Sequence, residues 1–268
     1  MSFSTITNSA GMLDMEYRKI LSVISKKYNE ILCNNLIGIY VHGSIAFRCF
    51  SWDRSDIDFI VIIENPISQQ IKLQLLHILE DLSKQAPEKG FEMSIVLKRY
   101  SKHFLYPTPY ELHFSNNWRL DRYLKNPTLL NDEVRTDYDL AAHFMVINNV
   151  GVVLCGELIS EVFGDVPSVY YLDSICKDIE NAIKDVSENP VYVILNLCRV
   201  YAYIKDGAVL SKEKGGQWGM ANLSDKYHSL IASMIDNYIN GTPIFKNESL
   251  QIDFCEYMLE LIFKRNDI

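Results

Sequence analysis

The chain has 268 residues, with 26 Lys and Arg against 34 Asp and Glu, a formal charge of −8. That balance disfavours duplex DNA or an anionic membrane as the main partner. A hydrophobic share of 48%, with 12 glycines and 8 prolines, belongs to a folded chain and not to a disordered or fibrous one. No apolar run approaches the roughly 20 residues of a spanning helix. The N-terminus MSFSTITNSAGMLDMEYRK has neither the basic nor the apolar region of a secretory signal, so a cytoplasmic protein is expected. Cys33, Cys49, Cys155, Cys176, Cys198 and Cys255 form no C-x-x-C pair and read as reduced, mostly buried packing residues.

In chain order, residues 12–33 place Met15, Ile20, Leu21, Ile24, Tyr28, Ile31 and Leu32 at helical spacings, an amphipathic helix. Leu36–Ser44 is a short apolar run ending at a Gly-Ser pair, a buried strand. Ser55–Pro66 begins polar, continues through Phe59–Ile63 and stops at a proline, a second strand. Ile71, Leu75, Ile78, Leu79 and Leu82 share a helical face up to the Ala86-Pro87 break. In Phe91–Arg99 the apolar Phe91, Met93, Ile95 and Leu97 alternate with Glu92, Ser94, Val96 and Lys98, a strand with one buried face.

YPTPYELHF reads as irregular. From Asp137 the strand signals give way to helical spacing, over Leu140–Val153, then in Leu172, Ile175, Ile179, Ile183 and Val186, then in Val191–Ile204 behind a proline suited to a first helical turn. The expectation is therefore an α+β domain over 1–157 with a small mixed sheet, an all-α helical bundle over 158–268, and a cleft between two packed domains.

The chemistry concentrates in a few residues. Gly43-Ser44 is followed after eleven residues by Asp56-Ile57-Asp58, and Glu92 lies one strand later. Asp56 and Asp58, two apart at a strand start, leave the same face about 7 Å apart. Carboxylates held that close repel unless a cation lies between them, and hard oxygen ligands suit Mg²⁺. Glu92, on an alternating strand, can supply a third. Such a cluster suits phosphoryl or nucleotidyl transfer. Gly43 lets backbone approach a triphosphate, and Ser44 and Ser55 offer hydroxyl donors. Each piece alone is common on ordinary turns and strand ends; the conjunction is rare. No P-loop or Rossmann fingerprint is present.

HGS, eleven residues, DID and an acid on the third strand resemble the nucleotidyltransferase superfamily of polymerase-β-like folds. YPTPYELHF, DYDLAAHF, VILNLCRVYAYIKDGAVLSKEKGGQW and the later Tyr238-Ile-Asn-Gly are similar to the streptomycin/spectinomycin adenylyltransferases, in which a helical domain follows the nucleotidyltransferase domain. The resemblance implies that Asp56, Asp58 and Glu92 bind Mg²⁺ and that Glu92 is the general base. It implies that Gly43, Ser44 and Ser55 contact ATP phosphates, that Arg199 and Lys212 are phosphate-binding cations, and that Tyr238 contacts the nucleotide. A guanidinium within an apolar helix needs an anionic partner, which for Arg199 is either phosphate or an internal salt bridge. Lys212 lies in a charged segment where a solvated lysine is equally natural.

The chain departs from the family on the acceptor side. The family's drug-contacting tryptophan sits in Glu-Trp-Leu-Arg, whereas this chain reads Asn116-Asn117-Trp118-Arg119, placing Trp118 one position off. The family's aspartate before the Arg-bearing helix is Asn189 here, after Glu188. Glu180, Asp185 and Glu188 supply negative charge suited to a cationic acceptor, or a solvated helix face.

The implied function is transfer of AMP from Mg-ATP to a hydroxyl of an aminoglycoside-type antibiotic such as streptomycin or spectinomycin, with no nucleic-acid or membrane partner. The alternatives are another small-molecule or protein hydroxyl, or a nucleotide-binding regulator without turnover. His42, His113 and His143 read as hydrogen-bonded interior residues, the Tyr201, Tyr203 pair as packing, and Lys26-Lys27 and Lys264-Arg265 as surface charges.

Overall fold

The computed structural model describes residues 6–131, 133–244 and 247–263, so Lys264 and Arg265 lie outside the described residues. The chain forms two compact units, Met1–Val166 and Pro167–Ile268.

The first unit opens with α1 (Ile6–Leu32), β1 (Leu36–Val41), the single turn α2 (Gly43–Ala46), β2 (Ile57–Ile63), α3 (Gln69–Ser83) and β3 (Phe91–Leu97). Ser68 starts α3 by accepting a hydrogen bond from the Ile71 N–H. There follow α4 (Lys98–Lys102), β4 (Thr108–Tyr110), β5 (Leu112–Phe114), α5 (Leu120–Lys125), β6 (Arg135–Asp137), α6 (Leu140–Val150), β7 (Val152–Gly156) and α7 (Ile159–Val162). The main sheet has strand order β5-β3-β2-β1-β7 and is mixed: β2 and β3 are parallel, and the other pairs are antiparallel.

Alternation sorts the sheet's residues onto two faces. Ile39, Val41, Phe59, Val61, Ile63, Met93, Ile95 and Leu97 bury one face together with Ile20, Ile24 and Tyr28 of α1 and Leu75, Leu76 and Leu79 of α3. Truncating a fully buried ring such as Phe59 to alanine removes about 3–5 kcal/mol from such a core. The other face carries Tyr40, Asp58, Ile60, Glu92 and Ser94, and here Tyr40 meets Phe163 and Phe163 meets Phe144 of α6, edge to face. One face thus builds the main core, and the opposite face, buried at Tyr40, Ile60 and Ser94, carries the acidic residues.

Two expectations are corrected here. Helix α6 stops at Val150, where the Gly151 N–H bonds the Ile147 carbonyl at 2.9 Å, and the β-branched Val152 and Val153 begin an edge strand beside β1. The YPTPYELHF stretch is not irregular: it holds β4 and β5, and β5 pairs with β3 through Ser94 opposite His113. Three-residue strands show no alternation, and their pairing is long-range.

The second unit is helical: α8 (Ser168–Lys177), α9 (Ala182–Asp185), α10 (Pro190–Asp206), α11 (Lys212–Asn222), α12 (His228–Asn240) and α13 (Glu248–Phe263). The apolar spacing from Leu172 to Val186 is split between α8 and α9. Pro190 opens α10, and Gly207, at φ +66°, closes it in the left-handed conformation. Ile194, Leu197 and Cys198 of α10 pack with Met234 of α12 and Phe254 and Met258 of α13. Tyr201 and Tyr203 are packing residues, against Trp218 and Tyr171. All six cysteines are free; Cys198 and Cys255 are buried, Cys33 is exposed and the others lie between, so fewer are buried than expected. No helix among the described residues is long and apolar enough to cross a membrane.

Candidate active site

The parallel pairing of β2 with β3 sets Asp58 directly opposite Glu92. Side chains in register on neighbouring strands leave the same face about 4.8 Å apart. Asp56, in the turn that leads into β2, joins them, and one carboxylate oxygen from each of Asp56, Asp58 and Glu92 lies within 4.8 Å of the others. The sheet therefore converges the three predicted carboxylates. Their all-oxygen donor set fits a hard divalent cation such as Mg²⁺.

The Gly-Ser pair closes the site from β1. The His42 N–H bonds the Asp58 carbonyl at 3.0 Å, and Gly43 follows with φ +57°. A Cβ on Gly43 would stand 1.8 Å from Asp58 Oδ2, so the missing side chain makes room for this carboxylate. Ser44 Oγ is buried without a hydrogen-bond partner, a polar atom left for a ligand to satisfy. Ser55 is buried, and its Oγ accepts from the Ser51 N–H at 3.1 Å, holding the turn that delivers Asp56.

Two residues that the sequence reading did not place here complete the surroundings. His143, on α6, has Nε2 3.2 Å from Asp139 Oδ2, one helical turn earlier, and 3.7 Å from Glu92 Oε1. It is the interior, hydrogen-bonded histidine expected, and it also borders the carboxylate site. Its ring lies over that of His42, with centroids 4.5 Å apart. Burial lowers the His143 pKa, but Asp139, by charge and hydrogen bond, and then Glu92 and Asp137 outweigh this and raise it to about 10. Burial raises Glu92 to about 7, against the pull of His143 and with the push of Asp139, Asp56 and Asp137. His42 is held well below the usual histidine value by burial and by His143. His113 behaves as expected, its Nδ1 2.9 Å from Ser94 Oγ, and burial and then His143 push it down to about 4.

Trp118 follows β5 and packs on the sheet core, 6.2 Å from the His113 ring and 6.1 Å from that of Tyr123. The Arg122 guanidinium lies 3.8 Å from its ring centre. Through His113 and Ser94, Trp118 is connected to the strand that carries Glu92.

Within the second unit, Glu188 and Asn189 lead into α10, Arg199 lies on it, Lys212 opens α11 and Tyr238 lies on α12. Arg199 Nε donates to the Leu210 carbonyl at 2.8 Å and Nη1 to Asn196 Oδ1 at 2.9 Å. Among the described residues it has no ion pair, so the internal salt bridge offered as its alternative partner is not formed. Asn196 in turn donates to Asp178 at 3.0 Å, which also accepts from the Tyr192 hydroxyl at 2.5 Å. Lys212 Nζ lies 4.9 Å from the Tyr192 ring centre. Glu188 and Asn189 are exposed and, with Asp178, Asp185 and Tyr192, line a cavity of about 200 Å³. Tyr238 is half-buried against the helical core. Asp178 and Tyr192 lie in no motif, Asn196 lies in the VILNLCRV block without being singled out there, and the packing of α8 against α10 brings the three together.

A mixed sheet with three converging carboxylates at a Gly-Ser turn, in a chain that continues into a helical unit, defines a nucleotidyltransferase. The chain is similar to the aminoglycoside adenylyltransferases. Residues 161–260 match the model for the aminoglycoside adenylyltransferase C-terminal domain. The chain is 21% identical over 236 residues to spectinomycin 9-adenylyltransferase of Enterococcus faecalis, spanning 87% of this chain and 91% of that protein. Its fold is that of a spectinomycin adenyltransferase from the same organism, whose crystal structure with ATP and spectinomycin superposes at a TM-score of 0.75 with 20% identity, over 90% of this chain and 98% of the other.

Proposed function

We propose that the chain transfers AMP from ATP to a hydroxyl of an aminoglycoside-type antibiotic, spectinomycin or streptomycin, in the cytoplasm. The observation that carries this reading is the meeting of Asp56, Asp58 and Glu92 within 4.8 Å. Glu92 takes the proton of the attacking hydroxyl, whose oxygen bonds to the α-phosphorus as the bond to pyrophosphate breaks. Asp56, Asp58 and Glu92 hold Mg²⁺, which when bound neutralises phosphate charge. Ser44 donates to a phosphate oxygen from its otherwise unpartnered hydroxyl, and Gly43 and Ser55 keep the strand end in place to receive it. Arg199 and Lys212 neutralise the departing pyrophosphate, and Tyr238 contacts the nucleotide. The acidic lining of the cavity at Asp178, Asp185 and Glu188, with Asn189, supports a cationic acceptor.

The Arg122 guanidinium over Trp118 favours a second reading, in which this tryptophan is not free to contact the acceptor as in the drug-modifying relatives. The acceptor is then another hydroxylated small molecule or a protein side chain. Pyrophosphate release from ATP and Mg²⁺, measured with streptomycin, with spectinomycin and with no acceptor, decides between them. Drug-dependent release that Glu92→Gln abolishes supports the first reading. Silence with both drugs and intact ATP binding shifts the acceptor to the second, and full turnover by Glu92→Gln removes Glu92 from the base role.

A further inference from the structure

We propose that His143 is the positioning residue of Glu92, with Asp139 fixing its ring, a role that rests on the reading of Glu92 as base. Glu92 has a long, flexible side chain whose neighbours Asp56 and Asp58 carry like charge. Left alone, its carboxylate turns away from them. His143 supplies the opposing hold, since its Nε2 lies 3.7 Å from Glu92 Oε1 and 3.2 Å from Asp139 Oδ2. The Glu92 contact is at ion-pair distance in the free protein, and such contacts tighten once substrates assemble the site.

The ring itself has little freedom. It is largely buried on α6, lies over the His42 ring at 4.5 Å, and is tied to the N-cap residue of its own helix by the contact with Asp139. A histidine serving only the fold satisfies both ring nitrogens from its surroundings. Here Nδ1 is buried without a hydrogen-bond partner, and the nitrogen that is engaged faces two carboxylates, one of them the base. With Nε2 facing two carboxylates, it is this nitrogen's hydrogen that is directed at them. Oε1 of Glu92 is then held, and Oε2 is left for the metal ion and the acceptor hydroxyl.

Groups that orient a reacting carboxylate act on the rate of the bound complex and leave binding alone. The test compares wild type, His143→Ala, His143→Gln, Asp139→Asn, Glu92→Gln and the double variant His143→Ala with Glu92→Gln in spectinomycin- and streptomycin-dependent pyrophosphate release. At saturating Mg²⁺, His143→Ala is expected to lower kcat by about 10–100-fold with KM for ATP and drug within about twofold, and His143→Gln, which keeps an N–H donor, to recover much of the loss. The double variant is expected to be no slower than Glu92→Gln alone. An unchanged kcat, a loss confined to KM, or losses that multiply in the double variant overturn the proposal.

Asp139→Asn, which preserves the size of its side chain, repeats the test if His143→Ala unfolds early in a melting scan. Crystal structures give a readout independent of any acceptor. The Glu92 carboxylate is expected to leave the Asp56 and Asp58 pair in His143→Ala, and an unmoved carboxylate overturns the proposal. An inactive Glu92→Gln beside a fully active His143→Ala sinks this proposal alone, whereas an active Glu92→Gln sinks the base reading beneath it.

Discussion

The Asp58 carboxylate rests against the Cα of Gly43, at the place a side chain would otherwise occupy. A methyl group there meets Asp58 Oδ2 at 1.8 Å, and the residue also has φ +57°. Gly43→Ala therefore combines a backbone penalty of about 1–2 kcal/mol with displacement of a proposed metal ligand. The expected outcome is a folded protein whose turnover and Mg²⁺ affinity fall by about 10–100-fold, read by calorimetry and pyrophosphate release. Wild-type affinity in this variant rules out the packing role.

Burial raises Glu92 to about 7, and only its ionised form accepts a proton. In the metal-free protein the Glu92 carboxylate is expected to titrate near that value by carbon-13 NMR. A divalent cation at Asp56 and Asp58 favours the ionised form, so the acid limb of the kcat/KM profile should move to lower pH as Mg²⁺ is raised. A limb that stays fixed over a wide Mg²⁺ range detaches it from Glu92.

The His143 pKa is raised in the fold to about 10, from an ordinary 6.5. The native state binds this proton more tightly than the unfolded chain does, so its contribution to stability is complete below pH 6.5 and fades as pH rises through about 10. Melting temperatures of wild type and His143→Gln are expected to differ most below pH 6.5 and to approach each other toward pH 10, leaving only the packing difference. A gap that widens with pH has the wrong sign for this account.

Gly215 lies so close to α10 that a Cβ there meets Arg199 Cγ at 2.4 Å. Gly215→Ala should push the arginine off the Leu210 carbonyl and the Asn196 amide, since a side chain yields more readily than two packed helices. If Arg199 serves the ATP phosphates, KM for ATP rises by up to about tenfold with a small change in melting temperature. An unchanged KM, with the displaced guanidinium seen in a crystal structure, separates Arg199 from the nucleotide.

Local pattern carried much of this site. The alternation in Phe91–Leu97 and the polar start of the strand at Ile57 put Glu92 and Asp58 on one face, and the pairing of β2 with β3 sets them side by side. What stayed hidden depends on contacts between distant segments. His143 reaches Glu92 because α6 packs on the chemical face of the sheet, and no spacing within DYDLAAHF signals a carboxylate some fifty residues away. Strand β7 was missed because it is short and pairs with β1 across most of the unit. In the helical unit, the link from Arg199 through Asn196 to Asp178 and Tyr192 joins α10 to the chain after α8, a relation that helical periodicity cannot express.

The in-register parallel pairing of β2 and β3 has a consequence for how this chain can diverge. The distance between Asp58 and Glu92 is set by the spacing of hydrogen-bonded backbones, not by the length or path of the connection between the strands. That connection, α3 with its flanking turns, works on the opposite face, where Leu75, Leu76 and Leu79 meet the apolar core. Insertions, deletions and repacking in α3 can therefore accumulate without altering the carboxylate geometry, provided the strands keep their register. A slip of a single residue turns Glu92 toward the core and disables the site at once.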